Sequence, residues 1–127
     1  HAATTMRLAA LVFFTALPAA ACPLPAPSMH EGEVQATWEV AGAPITVGEH
    51  FAIKVQLCPA DARLTRADAT MPAHRHGMNY RPSLKPLGDG RWHVEGLMFH
   101  MPGLWELQFD VQVAGKTERL RDAISLP

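Results

Sequence analysis

The feature that most constrains the fold is an alternation of apolar and polar residues that recurs along the chain. Apolar side chains occupy every second position over 34–40, over 51–57 and, in the longest run, over 105–113. Because successive side chains of a strand point to opposite faces, this period predicts strands with one buried face. No stretch after residue 21 sustains the 3.6-residue period of an amphipathic helix. We therefore expect an all-β protein.

Turn residues divide the chain into about seven strand segments. The weaker segments are predicted over 64–71, 78–84, 92–99 and 120–126. Pro82 lacks a backbone N–H and restricts its segment to a sheet edge or a bulge, whereas Gly88-Asp89-Gly90 predicts a hairpin turn. About seven short strands with a turn every ten residues or so predict an immunoglobulin-like antiparallel β-sandwich.

The N-terminal segment has the features of a secretion leader. Met6 and Arg7 precede an apolar run over 8–17, and small residues follow it, as in signal peptides. That run is about half of the ~20 residues that a membrane-spanning helix needs, so we expect no permanent membrane span. The predicted organisation is extraneous residues 1–5, a signal peptide over 6–21, a proline-rich lead-in over 22–31 and one β domain over 32–127.

Two cysteines, Cys22 and Cys58, are present. In an exported chain this number favours a disulfide, and we predict a Cys22–Cys58 bridge in a periplasmic or otherwise exported protein. The alternative is a lipid anchor on Cys22, which directly follows three alanines. The formal net charge is −1 without a basic run, so nucleic acid is not an expected partner.

Motifs of common enzyme classes are missing from the sequence. The chain has no Gly-x-Ser-x-Gly motif, no phosphate-binding loop and no dinucleotide fingerprint. Neither cysteine has a histidine beside it in sequence, and Glu95 and Glu106 are too isolated to propose as an acid–base pair. We expect a protein that is not an enzyme.

Histidine and methionine are concentrated in two segments, 71–78 and 98–103. Four of the six histidines and four of the five methionines after residue 21 lie between Met71 and Met101. In an extended backbone His74 and His76 project from one face, together with Met78. Imidazole and thioether donors together select copper, and we favour Cu(I) over Cu(II). The candidate ligands are His74, His76, Met78, Met71, His100 and Met101.

A structural interpretation of the same residues stays open. Met71 continues the phase of the apolar residues before it, and Met98 or Met101 must point inward if that strand packs. The other histidines, His30, His50 and His93, are interpreted as surface residues, and the three tryptophans as core. We favour metal binding over a purely structural loop motif because the donors are so concentrated.

Four motifs resemble the YtkA-like/FixH-like group of small exported bacterial domains and cover about residues 44–124. They are Pro44-Ile45-Thr46-Val47-Gly48, Met71-Pro72-Ala73-His74-Arg75-His76-Gly77-Met78, Gly88-Asp89-Gly90-Arg91-Trp92 and Phe99-His100-Met101-Pro102-Gly103-Leu104-Trp105. The resemblance implies an immunoglobulin-like β-sandwich. It also implies a link to copper handling or to the assembly of copper-containing respiratory oxidases.

The sequence thus predicts a periplasmic copper-binding protein, either a chaperone or a sequestering protein. Its expected partners are a copper ion and a periplasmic protein that receives the metal. The alternative is a metal-free interaction or assembly module for a respiratory oxidase. Convergence of the His and Met side chains at one site would favour copper binding over the metal-free alternative.

Overall fold

The computed structural model describes residues 2–13 and 22–127, and the strands in these ranges confirm the all-β prediction. The strands are β1 Met29–Glu31, β2 Val34–Ala41, β3 His50–Cys58, β4 Arg63–Met71, β5 His76–Gly77, β6 Ser83–Gly88, β7 Arg91–Met98, β8 Gly103–Val113 and β9 Lys116–Leu126. Within the described ranges, no helix is long and apolar enough to cross a membrane.

The strands form two sheets in which every neighbouring pair is antiparallel. The first sheet has the order β1-β2-β3-β7-β6 and the second the order β5-β4-β8-β9. Without the short strands β1 and β5, these orders match the ABED and CFG sheets of an immunoglobulin constant-type domain. The predicted β-sandwich is confirmed, with nine strands where the sequence predicted about seven.

The core lies between the two sheets and is built from the inward positions of the alternating segments. On β8, Trp105, Leu107, Phe109 and Val111 are all buried, while the residues between them face outward. Complete burial of each large apolar side chain stabilises the fold by about 1.5–3 kcal/mol. The strict alternation therefore fixes which face of β8 meets the first sheet.

The strand predicted over 78–84 is displaced in the structure. The observed strand β6 begins at Ser83, directly after Pro82, and residues 78–82 form a loop. The paired segment begins after Pro82, and Pro86 lies within β6 opposite Trp92, which a strand at the sheet edge tolerates. The sheet-edge position predicted for this segment is correct, because β6 is the edge strand of the first sheet.

The proline-rich lead-in is tied to the sandwich by the Cys22–Cys58 disulfide. The two Cα atoms are 5.6 Å apart, within the usual range for a disulfide. Nearby, Leu24 is buried and its N–H donates to Gln35 Oε1 at 2.8 Å. The predicted bridge is confirmed, and it is compatible with an exported protein.

The predicted leader is described only in part. Residues 2–13 have no regular secondary structure, and Leu8 and Phe13 among them are exposed. Residue 1 and residues 14–21, which include the end of the predicted signal peptide, lie outside the described residues.

Candidate metal centre

The two His/Met segments meet at one end of the sandwich. Residues 72–75 form the turn that follows β4, and residues 99–102 lead from β7 into β8. Strands β4 and β8 are neighbours, with Thr70 opposite Glu106. Two segments that are distant in sequence therefore lie beside each other because the strands next to them pair.

A tight turn places His74 and His76 together. The N–H groups of His74 and Arg75 both donate to the Met71 carbonyl, at 3.1 and 3.0 Å, and Arg75 has a φ of +53°. The chain then pairs back on β4, with His76 opposite Met71 and Gly77 opposite Thr70. Two residues of strand pairing thus fix His76 against the sheet, while His74 stays on the exposed turn.

Three imidazole rings form a stack, which we call the imidazole row: His74, His76 and His100. The ring centroids of His74 and His76 are 5.6 Å apart with 24° between the ring planes. Those of His76 and His100 are 5.1 Å apart with 37° between the planes. His76 is therefore the central member, with an exposed histidine on each side.

Trp105 forms the base beneath the imidazole row. It is fully buried, and its ring meets the edges of His76 and His100 at centroid distances of 6.1 and 5.3 Å. Its indole Nε1–H donates to the Met101 carbonyl at 3.0 Å. The same tryptophan therefore supports two rings and holds the backbone of a candidate methionine ligand.

His76 carries a buried nitrogen without a partner. Its Nδ1 atom is the one buried side-chain nitrogen or oxygen in the described ranges that lacks a hydrogen bond. Folded proteins pair the great majority of such groups, because leaving one unpaired costs about 1–3 kcal/mol. The His76 ring is the central member of the imidazole row, so the cluster contains a buried nitrogen without a hydrogen-bond partner.

The three candidate methionines occupy two different environments. Met71 is 2% exposed within the hydrophobic core, and its Cε atom lies only 2.8 Å from where a side chain on Gly103 would begin. Met78 and Met101 are partly buried and pack against the edge of the core. Met71 thus has the core position that the sequence left open, and Met78 and Met101 are the more accessible thioethers.

The imidazole row is not a preformed coordination shell. Among the residues that the structure describes, no three His, Cys, Asp or Glu side chains are arranged to hold a metal ion. Binding of one ion by all three imidazoles therefore requires their side chains to rearrange.

No family model, curated protein or solved structure matched the chain in the comparisons made. The resemblance to YtkA-like/FixH-like domains therefore stays a prediction. Any functional inference rests on the geometry of the imidazole row, the accessible methionines and their tryptophan base.

Proposed function

We propose that this chain is an exported copper-binding protein that holds Cu(I) at the imidazole row. The ligands are His76, one or both of its histidine neighbours, and a thioether from Met78 or Met101. The observation that carries the proposal is the buried, unpaired Nδ1 of His76 between two exposed imidazoles. A metal ion bound there would supply the missing partner.

The donor set favours copper over other metals. Imidazole and thioether are borderline and soft donors that suit copper, whereas zinc sites in proteins usually include cysteine or carboxylate ligands. The described residues contain no free cysteine, because Cys22 and Cys58 are joined. Methionine is then the sulfur ligand that remains, and it keeps its donor atom in the oxidising periplasm where we place the protein.

The exposure of the cluster favours transfer or sequestration of copper. His74 and His100 are exposed and His76 is partly buried, so a ligand from another protein could reach the metal while His76 still holds it. This suits a chaperone that passes copper to a receiving protein. Membership of the YtkA-like/FixH-like group and a role near respiratory oxidases belong to the same proposal.

The test is a competition titration of the full chain with a chromophoric Cu(I) chelator under anaerobic conditions. His74→Ala/His76→Ala should lower the Cu(I) affinity by about 100-fold or more, because even supporting residues of metal sites cost 10–100-fold when mutated. The matched control is His30→Ala/His93→Ala, which removes two histidines outside the row and should leave the affinity unchanged. A chain without residues 1–5 excludes chelation by His1.

Equal Cu(I) affinity in the His74→Ala/His76→Ala variant and the wild type would overturn the proposal. It would favour the alternative of a metal-free interaction or assembly module. An equally large loss of Cu(I) affinity in the control variant His30→Ala/His93→Ala would also overturn it. Copper would then bind to histidines without regard to their position.

A further inference from the structure

A second pair of metal-binding residue types lies outside the imidazole row, at the same end of the sandwich. We call His50 and Met98 the outer pair: His50 begins β3 and Met98 ends β7. The two residues are directly opposite in the antiparallel register. Cross-strand neighbours of this kind have Cβ atoms about 4.5–5.5 Å apart, within reach of an imidazole and a thioether.

Met98 faces away from the core, and of the two methionines that the sequence left as alternatives it is Met101 that packs against the core. Leu97 and Phe99 on either side of it are fully buried, whereas Met98 is partly exposed and does not pack against the core cluster. The cause is an irregularity in the β3–β7 pairing at Phe51/Ala52, opposite Gly96, whose φ is +90°. A bulge shifts the phase of the residues beyond it and re-aims their side chains.

His50 is surrounded by an aromatic ring and a cavity that is open to solvent. The ring of Tyr80 meets His50 edge-on at a centroid distance of 4.8 Å, and Tyr80 is itself exposed. His50 also lines an open cavity of about 400 Å³ whose wall includes Glu95. The outer pair therefore combines a nitrogen and a sulfur donor with an aromatic face and access from solvent.

The outer pair lies close in sequence to both His/Met segments, through Met98 itself and through Tyr80, which contacts His50. Tyr80 follows Met78 by two residues, and Met98 precedes His100 by two residues. Between Met98 and His100, the buried Phe99 ring stacks on Trp105 at 4.8 Å and contacts Phe51 at 5.0 Å. The backbone segment that carries Met98 and His100 is thus anchored to the core by the buried ring between them.

We propose that His50 and Met98 form a second site for a soft monovalent ion, Cu(I) by the function proposed above. With two protein donors it binds more weakly than the imidazole row, by about tenfold or more, which is about 1.4 kcal/mol. Its position on the open face of the first sheet suits a site from which copper enters or leaves. The identity of the metal rests on the proposed function, whereas the donor geometry does not.

The test uses Ag(I), a redox-inert substitute for Cu(I), with the full chain carrying ¹³C-labelled methionine methyl groups. The wild type should bind two equivalents of Ag(I), and the Met98 methyl signal should move with the second. His50→Gln/Met98→Leu should remove only the weaker equivalent. Leucine conserves the volume of methionine, so the fold should tolerate this change. The matched control is His93→Gln, on the same strand as Met98.

The second site is overturned if the wild type binds only one equivalent of Ag(I). It is equally overturned if the Met98 methyl signal does not move while the second equivalent is added. The two proposals fail in different ways. If His74→Ala/His76→Ala keeps its tighter equivalent, the proposed function fails. The Met98 signal and the His50→Gln/Met98→Leu variant still decide whether the outer pair binds.

Discussion

The outer face of the second sheet and the imidazole row are both polar clusters, but their polar groups are satisfied differently. On the sheet face Arg119 contacts both carboxylate oxygens of Asp110, at 2.8 and 3.2 Å. Beside it, Arg121 lies 3.3 Å from Glu106. We call these four residues the charge ladder. In the imidazole row, by contrast, the central histidine keeps a buried nitrogen without a partner.

The charge ladder is paired within the protein, whereas His76 keeps a buried nitrogen that, by the proposed function, binds the metal. The ladder is complete within the protein, since each charge has an opposite charge on the neighbouring strand. The unpaired nitrogen of His76 instead costs free energy in the metal-free protein. If the proposed function holds, bound metal restores this loss, and the comparison can be tested by measuring stability with and without copper.

The largest expected effect is that copper binding raises the free energy of unfolding. This gain should require the imidazole row and not the charge ladder. A ligand that binds only the folded state at 100 times its dissociation constant raises the unfolding free energy by about 2.7 kcal/mol. We expect this gain for the wild type and for the ladder variant Asp110→Asn/Arg119→Gln. His74→Ala/His76→Ala should gain much less. Anaerobic urea denaturation with and without Cu(I) measures the difference.

If Asp110→Asn/Arg119→Gln lost the stability that copper adds, the contrast between the charge ladder and the imidazole row would fail. Charge pairing and metal binding would then be coupled. The same conclusion would follow if His74→Ala/His76→Ala kept the full gain. Samples without Cu(I) serve as the baseline for each variant, so a change in intrinsic stability is not mistaken for a change in binding.

An intermediate effect is expected from removing the unpaired nitrogen itself. His76→Phe keeps an aromatic ring next to His74, His100 and Trp105 but has no nitrogen to desolvate. Because an unpaired buried group costs about 1–3 kcal/mol, we expect the metal-free variant to be about 1 kcal/mol more stable than the wild type. Urea denaturation in the presence of a Cu(I) chelator measures this gain.

The matched control is His93→Phe. The side chain of His93 is partly buried, and its Nε2 lies 3.9 Å from Glu95, so this variant should gain nothing. A loss of stability in His76→Phe would contradict the view that the nitrogen weakens the fold. The stacked rings would then be held by an interaction that phenylalanine does not reproduce.

The fold was predictable because its signal is local, whereas the candidate site depends on pairing between distant segments. The period-2 alternation around Trp105 predicts both a strand and its buried face. The spacing of His74 and His76 predicts that they lie together. Their stacking with His100 depends on the β4–β8 pairing, which no local pattern encodes.

The residues whose surroundings the sequence left open lie next to irregular backbone. The sequence required Met98 or Met101 to point inward, and the bulge opposite Gly96 turns Met98 outward while Met101 packs against the core. His50 was interpreted as an isolated surface histidine, because only the register of β3 and β7 brings it opposite Met98. A one-residue change of phase moves a side chain to the other face of a sheet, and periodicity alone does not reveal where it occurs.

The smallest expected effect concerns the charge ladder and its dependence on pH. The hydrogen bond from Arg119 lowers the pKa of Asp110 below its ordinary value of 3.8, and nearby arginine charges add to this. A carboxyl whose folded-state pKa is lowered contributes stability above its ordinary pKa and loses it as the pH falls through the lowered one. Asp110→Asn should therefore be less stable than the wild type at pH 7.

The expected loss is about 0.5 kcal/mol, because the Arg119 side chain is 42% exposed and solvent screens the pair. Urea denaturation at pH 7 and near pH 2.5 measures the difference between the two proteins, which should shrink on acidification and also in high salt. A difference that persists in acid would show that Asp110 acts through packing.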